Sequence, residues 1–333
     1  MGVTIKDIAR IANVSHTTVS RALNNSPFIN EETKSKILEI AKELNYVPNY
    51  SAKSLVLDRS YNIGLFFTTI SKVTSPNFFY ETVSGVNSAI GNNYNLVVRG
   101  IDDYKDFTFV NSKNFDGIIL MSQSSSDNSF IYYAKDKKIP LVVLNRDIDD
   151  SSIVNILSGD KKGSYKAVNY LIEKGHKDIA IIEGKKGFNA TIERKEGFLN
   201  ALIDNNIGIN SDYMVEGDYT TSSGYKAMKE LLNLKNKPTA VFCSNDEMAI
   251  GAMKAVTEAQ LIVPKDISIM GFDDNRFGEY MEPSITTVRR PIKEVGQKGV
   301  ERLFDIINNK RSSGEKIYVS TELVKRESVA KLK

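Results

Sequence analysis

The stretch VSHTTVSRAL, residues 14–23, places polar side chains between apolar positions at helical spacing. Val19, Ala22 and Leu23 share one face of a helix, so the opposite face carries hydroxyls, a histidine and Arg21. These groups form hydrogen bonds and differ from the Glu and Lys typical of a solvated face, and an arginine can contact a guanine edge through two hydrogen bonds. The stretch therefore predicts either a capped surface helix or a DNA-reading helix.

Apolar residues at spacings of three and four predict three short helices within the first 45 residues. Asn13 tolerates the left-handed conformation that a tight turn between the first two helices requires. Ser15 can cap the second helix, and Asn30 precedes two acids suited to the start of the third. A second helix after a tight turn is the arrangement that enters the major groove of DNA.

The composition bounds the class of protein. A chain of 333 residues with 41% apolar and 26% charged residues predicts a globular protein of two or three folding units. We find no apolar run long enough to span a membrane and no secretory signal in residues 1–20, so we expect a cytoplasmic protein. The single cysteine, Cys243, excludes an intrachain disulfide, and we expect no metal and no cofactor. With a net charge of +3, DNA binding must depend on the placement of a few groups.

From residue 62 onward the pattern changes to short apolar runs that alternate with helical segments. The runs are NIGLFF, NLVV, DGIILM, PLVVL, DIAIIEG, PTAVFCS and DISIMGF. They predict buried parallel strands, with helices at about 78–91, 159–173, 191–205, 246–259 and 292–308. Two sets of strands predict an α/β fold with two doubly wound subdomains, whose ligand cleft faces the carboxyl ends of the strands.

Between the two patterns lies PNYSAKSLVLDRS, residues 48–60. Asn49 can cap a helix of about two turns, in which Ala52, Leu55 and Val56 form a small apolar face. A helix this short is marginal alone in water. We expect it to order only on DNA, as coupled folding and binding.

The segments TIKDIARIANVSHTTVSRALNN and LNYVPNYSAKSL resemble the helix-turn-helix signature, third helix and hinge of the LacI/GalR family of bacterial transcriptional repressors. The resemblance extends over nearly the whole chain. It implies a helix-turn-helix DNA-binding domain at 1–47, a hinge helix and linker at 48–60, and an effector-binding and dimerisation domain at 61–333. That last domain would resemble periplasmic binding proteins, with an N-subdomain at about 61–158 and 289–319 and a C-subdomain at about 159–288 and 320–333.

The resemblance also implies roles for DNA-contacting residues. It places Arg21 on a base, makes His16 and Thr17 the determinants of half-site preference, and places Leu55 as a wedge in the minor groove. Phosphate contacts are implied for Thr4, Ser15, Asn24 and Asn49, and Thr18 and Ser20 complete the surface. An alternative stays open for each of two residues. His16 could merely face water, and Leu55 could simply pack in an interface.

The second domain carries candidate ligand contacts, by resemblance and by their places at strand ends. Arg194 matches the family arginine that grips effector hydroxyls or carboxylates, and the Asp273 carboxylate can accept hydrogen bonds from polyol hydroxyls. The other candidates are Phe78, Phe79, Asn145, Arg146, Asn245 and Asp246. Polar side chains that form directed hydrogen bonds, beside aromatic faces that pack on a ring, suit the binding of a sugar. The alternatives are a core position for either phenylalanine and a plain helix-start acid for Asp246.

Some positions depart from particular family members. Phe188 and Ala190 occupy places where the purine repressor carries polar contacts, so we do not expect a purine corepressor. Asn145 replaces an aspartate of some sugar-responsive members, and the loop ISKVTSPN is longer than in the catabolite control protein. The chain ends at KLK without an apolar heptad, so we expect a homodimer instead of the lac repressor's tetramer.

Other classes of protein fit less well. The chain has no GxGxxG after a strand, no GxxxxGK[ST] and no GxSxG, and His16 and His176 are its only histidines, so an enzyme is not expected. A solute-binding protein would have no use for residues 1–60. We therefore predict a repressor that binds a palindromic operator as a homodimer, controlled by a small-molecule effector, a sugar or sugar derivative. The alternatives are a catabolite-control-type regulator that needs a protein coregulator and, less favoured, a solute-binding protein or sugar-active enzyme.

Overall fold

The fold is given by a computed structural model, which describes residues 3–23, 26, 28–44, 46, 59–70, 74–309 and 314–332. The chain divides into two compact units, Met1–Asp58 and Arg59–Lys333. The predicted hinge helix, including Asn49 and Leu55, lies outside the described residues, as does Asn24.

The described residues of the first unit form three helices, α1 (Ile5–Ala12), α2 (His16–Leu23) and α3 (Glu31–Glu43). The predicted turn and caps are confirmed. Asn13 ends α1 in the left-handed conformation with φ of 56°. Ser15 Oγ accepts from the Thr18 peptide N–H at 3.0 Å, and Asn30 Oδ1 accepts from Glu32 at 2.8 Å. The apolar faces of the three helices meet in one core, which contains Ile8, Val19, Ala22 and Ile37 among its fully buried residues.

The described part of the second unit forms two parallel sheets, as the alternating pattern predicts. The larger has six strands in the order β11-β5-β4-β3-β1-β2, and the smaller has four in the order β7-β6-β8-β9. β10 and β12 form an antiparallel pair. The strands are β1 (Asn62–Phe67), β2 (Asn95–Gly100), β3 (Gly117–Met121), β4 (Leu141–Leu144), β5 (Val154–Ser158), β6 (Ile179–Ile182), β7 (Met214–Val215), β8 (Ala240–Cys243), β9 (Ser268–Met270), β10 (Thr287–Arg289), β11 (Lys316–Val319) and β12 (Glu322–Val324).

Seven helices of the described chain pack against these sheets. They are α4 (Pro76–Ile90), α5 (Asn128–Asp136), α6 (Asp160–Glu173), α7 (Asn189–Asp204), α8 (Thr221–Leu232), α9 (Asp246–Glu258) and α10 (Ile292–Ile307). The five helices predicted from periodicity match α4, α6, α7, α9 and α10 to within two residues at each end. Four apolar clusters surround the two sheets, so the central strands are buried on both sides, as continuous apolar runs require. None of the helices described is both long and apolar enough to span a bilayer.

Candidate functional site

The polar face of α2 is exposed around three of the predicted DNA contacts. His16, Thr17 and Arg21 are exposed, whereas Val19 and Ala22 on the opposite side of the helix are fully buried. The helix is therefore anchored by its apolar face and presents an imidazole, a hydroxyl and a guanidinium outward. These groups suit the edges of bases in a major groove.

The remaining polar groups of this surface hold the helix ends. The Thr4 hydroxyl donates to Asp7 Oδ2 at 2.7 Å, within the capping box that starts α1. The hydroxyls of Ser15 and Thr18 lie 2.8 Å apart at the start of α2, where Ser15 caps the helix. Ser20 is half-buried. The roles of all these residues towards DNA stay predictions.

The second unit has a cleft at the carboxyl ends of its strands. Residues that follow strands of the two parallel sheets and of the β10-β12 pair contribute to its lining. The lining residues are Ser75, Phe78, Gln123, Asn145, Phe188, Ala190, Arg194, Tyr219, Asn245, Asp273 and Arg290. Parallel strands with their helices bring these loops together at one edge of each sheet. The cleft combines two guanidiniums and a carboxylate with three aromatic rings.

Arg194 lies at the centre of a buried ion network. Its Nε and Nη2 donate to Asp160 Oδ2 at 3.0 and 2.9 Å, and Nη2 also donates to Asp273 Oδ1 at 3.0 Å. Its Nη1 donates to the carbonyl of Ser244, and the guanidinium stacks 3.8 Å from the centre of the Phe272 ring. Only 1% of the residue is exposed. This geometry fixes the direction of the guanidinium before any ligand arrives.

Asp160 connects Arg194 with a second arginine. Its Oδ1 lies 3.0 Å from Arg290 Nε, which also donates to Ser158 Oγ at 2.9 Å. Burial alone would raise the pKa of the Asp160 carboxyl, but Arg290 and Arg194 outweigh it and hold that pKa below its ordinary value. Asp160 is therefore ionised and pairs with two guanidiniums.

Glu193 precedes Arg194 on α7. Its pKa is raised, whereas the pKa of Asp160 is lowered. Burial and the nearby Asp160 raise the pKa of Glu193 to about 7, although Asn189 Nδ2 donates to Glu193 Oε1 at 2.9 Å. Close to the ionised carboxylate of Asp160 there is thus a second buried carboxyl, that of Glu193, whose pKa is raised to about 7.

Known proteins share this organisation. The model of "Bacterial regulatory proteins, lacI family" matches residues 4–49, and that of "Periplasmic binding protein-like domain" matches residues 168–329. The "Probable HTH-type transcriptional repressor ExuR" of Bacillus subtilis (strain 168) is 57% identical over 330 residues, which cover 99% of each chain. The chain belongs to the LacI family.

Other relatives extend this result. The "HTH-type transcriptional repressor PurR" of Proteus mirabilis (strain HI4320) is 38% identical and covers 98% of this chain and 97% of its own. The structure of the lac repressor dimer bound to operator and the anti-inducer ONPF has a TM-score of 0.80 at 27% identity, over 99% of this chain and 100% of that one. A CelR-cellobiose complex has a TM-score of 0.75 at 27% identity, over 98% and 99%. This LacI-family chain is thus a transcriptional repressor, and the prediction that it is not an enzyme is confirmed by its relatives.

Within this LacI-family cleft, five predicted ligand contacts are brought together. Phe78, Asn145, Arg194, Asn245 and Asp273 all line the open space. Both asparagines are engaged with the protein. Asn145 accepts from Arg290 and donates to the Ser122 carbonyl at 2.8 Å, and Asn245 caps α9 and donates to the Tyr219 carbonyl at 3.0 Å.

Three predicted contacts lie away from the lining. Phe79 packs on the Phe67 ring at 5.1 Å in the core, which was the alternative stated for it. Arg146 Nε donates to Ser122 Oγ at 2.8 Å, and its Nη2 donates to Asn128 Oδ1 at 2.7 Å, so it joins two loops. A position at the end of a strand places the backbone of a residue near the cleft but does not determine the direction of its side chain.

Asp246 is the third predicted ligand contact that lies away from the lining of the cleft. Its carboxylate accepts from the Thr287 hydroxyl and from the Asn275 peptide N–H, and it is fully buried. Burial raises the pKa of Asp246 well above its ordinary value. Asp246 therefore holds the loop that follows β9, and Asp273 is the residue of that loop which reaches the cleft.

The cleft also contains residues that the sequence analysis did not select. They are Ser75, Gln123, Tyr219 and Arg290, with Phe188 and Ala190, which were noted only as departures from a purine site. Arg290 follows β10 in TTVRRPI, as Asn145 follows β4, so its position after a strand was the available signal. Contacts also cross the cleft: Ser75 Oγ donates to Glu247 Oε1 at 2.6 Å.

Proposed function

We propose that this repressor binds a palindromic operator as a homodimer and that a sugar or sugar derivative in the cleft controls its affinity for DNA. The observation that carries the proposal is the cleft, where Arg194, Arg290 and Asp273 stand beside the rings of Phe78, Phe188 and Tyr219. Hydrogen-bonding groups of fixed direction suit sugar hydroxyls, and aromatic faces suit the apolar face of a sugar ring. Two structural neighbours, an operator-bound dimer and a cellobiose complex, support it.

The proposed control is thermodynamic. An effector changes operator affinity only by its differential affinity for two states of the dimer, and the coupling acts equally in both directions. A compound that binds the cleft must therefore bind differently when operator DNA is present. Effector affinity with and without operator DNA can be measured, and the proposal requires the two values to differ.

For DNA recognition we expect Arg21→Ala to cost roughly 1–3 kcal/mol at one base pair and to relax the preference there, because the exposed guanidinium would lose a bidentate base contact. Anisotropy titrations at one salt concentration would compare a palindrome upstream of this gene or of a neighbouring sugar-uptake gene with its single-base variants. Lys42→Ala, which removes an exposed cation on α3, is the matched control. An equal loss on random DNA would make Arg21 a phosphate contact.

The effector is tested by thermal shift with D-ribose, D-glucose, D-galactose, cellobiose, D-glucuronate and D-glucose 6-phosphate, because the cleft carries both apolar rings and guanidiniums. We expect at least one compound to raise Tm, since a ligand at a hundred times its Kd stabilises the folded state by about 2.7 kcal/mol. The same compound should change operator affinity. A rise in Tm without any change in operator affinity would contradict the proposed control.

A further inference from the structure

Gln123 lies where the two sheets of the larger unit approach each other. Its peptide N–H donates to Thr68 Oγ1 at 2.8 Å, just beyond β1. Its carbonyl accepts from the peptide N–H of Asn189 at 2.8 Å, at the first residue of α7. The next residue, Ser124, forms an isolated β-bridge with Phe188. The backbone of Gln123 therefore connects the loop after β3 with the start of α7.

The side chain of Gln123 points to a different role from that of its backbone. It lines the cleft and is 93% buried, since its relative exposure is 7%. Its Oε1 has no hydrogen-bond partner among the described residues. Buried carbonyl oxygens in folded proteins nearly always have a partner, so an unmatched one at a cleft marks a position for a donor.

The other two amides of the cleft are already used by the protein. Asn145 accepts from Arg290 and donates to a backbone carbonyl. Asn245 Oδ1 accepts from the Met248 peptide N–H at 2.9 Å, and its Nδ2 donates to a backbone carbonyl. These asparagines shape the site and have their acceptor atoms occupied. Gln123 is the amide of the lining whose oxygen is left for a ligand.

We propose that Gln123 binds the effector, with its side-chain oxygen accepting a hydrogen bond from an effector hydroxyl. The inference rests on the proposed effector function of the cleft and adds a contact to it. A hydroxyl is the required group because a carbonyl oxygen repels a carboxylate or phosphate oxygen. The peptide of the same residue holds the start of α7, so a hydroxyl bound here links occupancy to the contact between the two sheets.

The test uses the full chain and two measurements, Tm without sugar and Kd for the panel sugar that binds the wild type most tightly. Gln123→Met keeps the length of the side chain but removes the acceptor, and Gln123→Glu keeps an acceptor. Gln297→Met is the control, because the Gln297 amide donates to Ser88 Oγ at 3.2 Å on an exposed part of α10. We expect Gln123→Met to raise Kd roughly 5- to 30-fold, with Gln123→Glu recovering most of the loss.

The Tm without sugar separates a ligand contact from a structural role. We expect the sugar-free Tm of Gln123→Met to equal or exceed that of the wild type, because the substitution removes an unmatched buried acceptor. A lower sugar-free Tm together with an unchanged Kd would overturn this inference alone. Failure of the wild type to bind any sugar of the panel would overturn the proposed effector function, and this inference with it.

Discussion

Asp160→Asn is expected to lower the free energy of unfolding of the larger unit by about 3–5 kcal/mol, because it breaks a buried ion network by removing one partner. Asp160 Oδ2 accepts from Arg194 at 2.9 Å, and Oδ1 accepts from the Ser158 hydroxyl and lies 3.0 Å from Arg290 Nε. The amide of asparagine carries no charge and turns one of these acceptors into a donor. Two buried guanidiniums would then share Asp273 as their remaining carboxylate in the network. Urea unfolding of the full chain at neutral pH, with equal m-values for both proteins, measures the loss.

The matched control for this prediction is Asp150→Asn. Asp150 pairs with Lys135 and accepts from Ser152. The hydrogen bond from Lys135 has the largest effect, and together with those from Ser152 it lowers the pKa of Asp150 to about 2. Lys135 is 45% exposed, so water competes for the pair, and surface pairs contribute at most about 1 kcal/mol. The same loss in both variants would contradict the view that burial makes the Asp160 network the stronger one.

The pH dependence of the Asp160 contribution has a definite sign. The pKa of Asp160 is lowered on folding, so its stabilisation is present above the unfolded value of 3.8 and is lost as pH falls through the folded value. The difference between wild type and Asp160→Asn should therefore narrow in acid. Glu193 acts in the opposite sense: its pKa is raised to about 7, so its contribution is present below the unfolded value of 4.5 and disappears as pH rises through about 7.

The parts of the fold that could be predicted are those whose signal is local. Asn13 and Asn30 mark helix boundaries in the first unit through backbone conformation and capping, which involve residues a few positions apart. Strands buried on both faces must be apolar throughout, so runs such as DGIILM and PLVVL indicated the parallel sheets directly. Strand order depends on contacts between distant segments, and no local pattern encodes it.

The cleft was predictable only in part, for a reason that Asp246 and Asp273 illustrate. Both carboxylates follow buried strands, and both were predicted as ligand contacts. The structure buries Asp246 under Thr287 and Asn275 and brings Asp273 to the open space. The difference comes from β10, a strand more than 40 residues beyond Asp246, whose residues occupy one carboxylate and not the other. Arg290 follows the same strand, so its place in the cleft also depends on where β10 packs.

Asp273→Asn is expected to weaken effector binding about 10- to 150-fold while operator binding without effector persists. A carboxylate that accepts from a sugar hydroxyl forms a charge-assisted hydrogen bond worth about 1.5–3 kcal/mol, and the neutral amide loses most of it. The backbone of Asp273 has a φ of 102°, and asparagine is among the residues that tolerate positive φ, so the loop should keep its shape. Asp160 still pairs with Arg194 in this variant, so folding should persist.

The neighbouring carboxylate provides the control that decides the result. Asp274 also has a positive φ, of 57°, but each of its oxygens already accepts from an arginine, Oδ2 from Arg289 Nε and Oδ1 from Arg326 Nη2, both at 2.7 Å. It lines only the wider opening beside the space that contains Arg194. Asp274→Asn should therefore leave the effector Kd unchanged. Calorimetric titration of both variants with the panel compound that binds the wild type gives the comparison, and operator titrations confirm that each variant still binds DNA. Equal losses in the two variants would mean that the shared loop, and not the Asp273 carboxylate, determines effector binding.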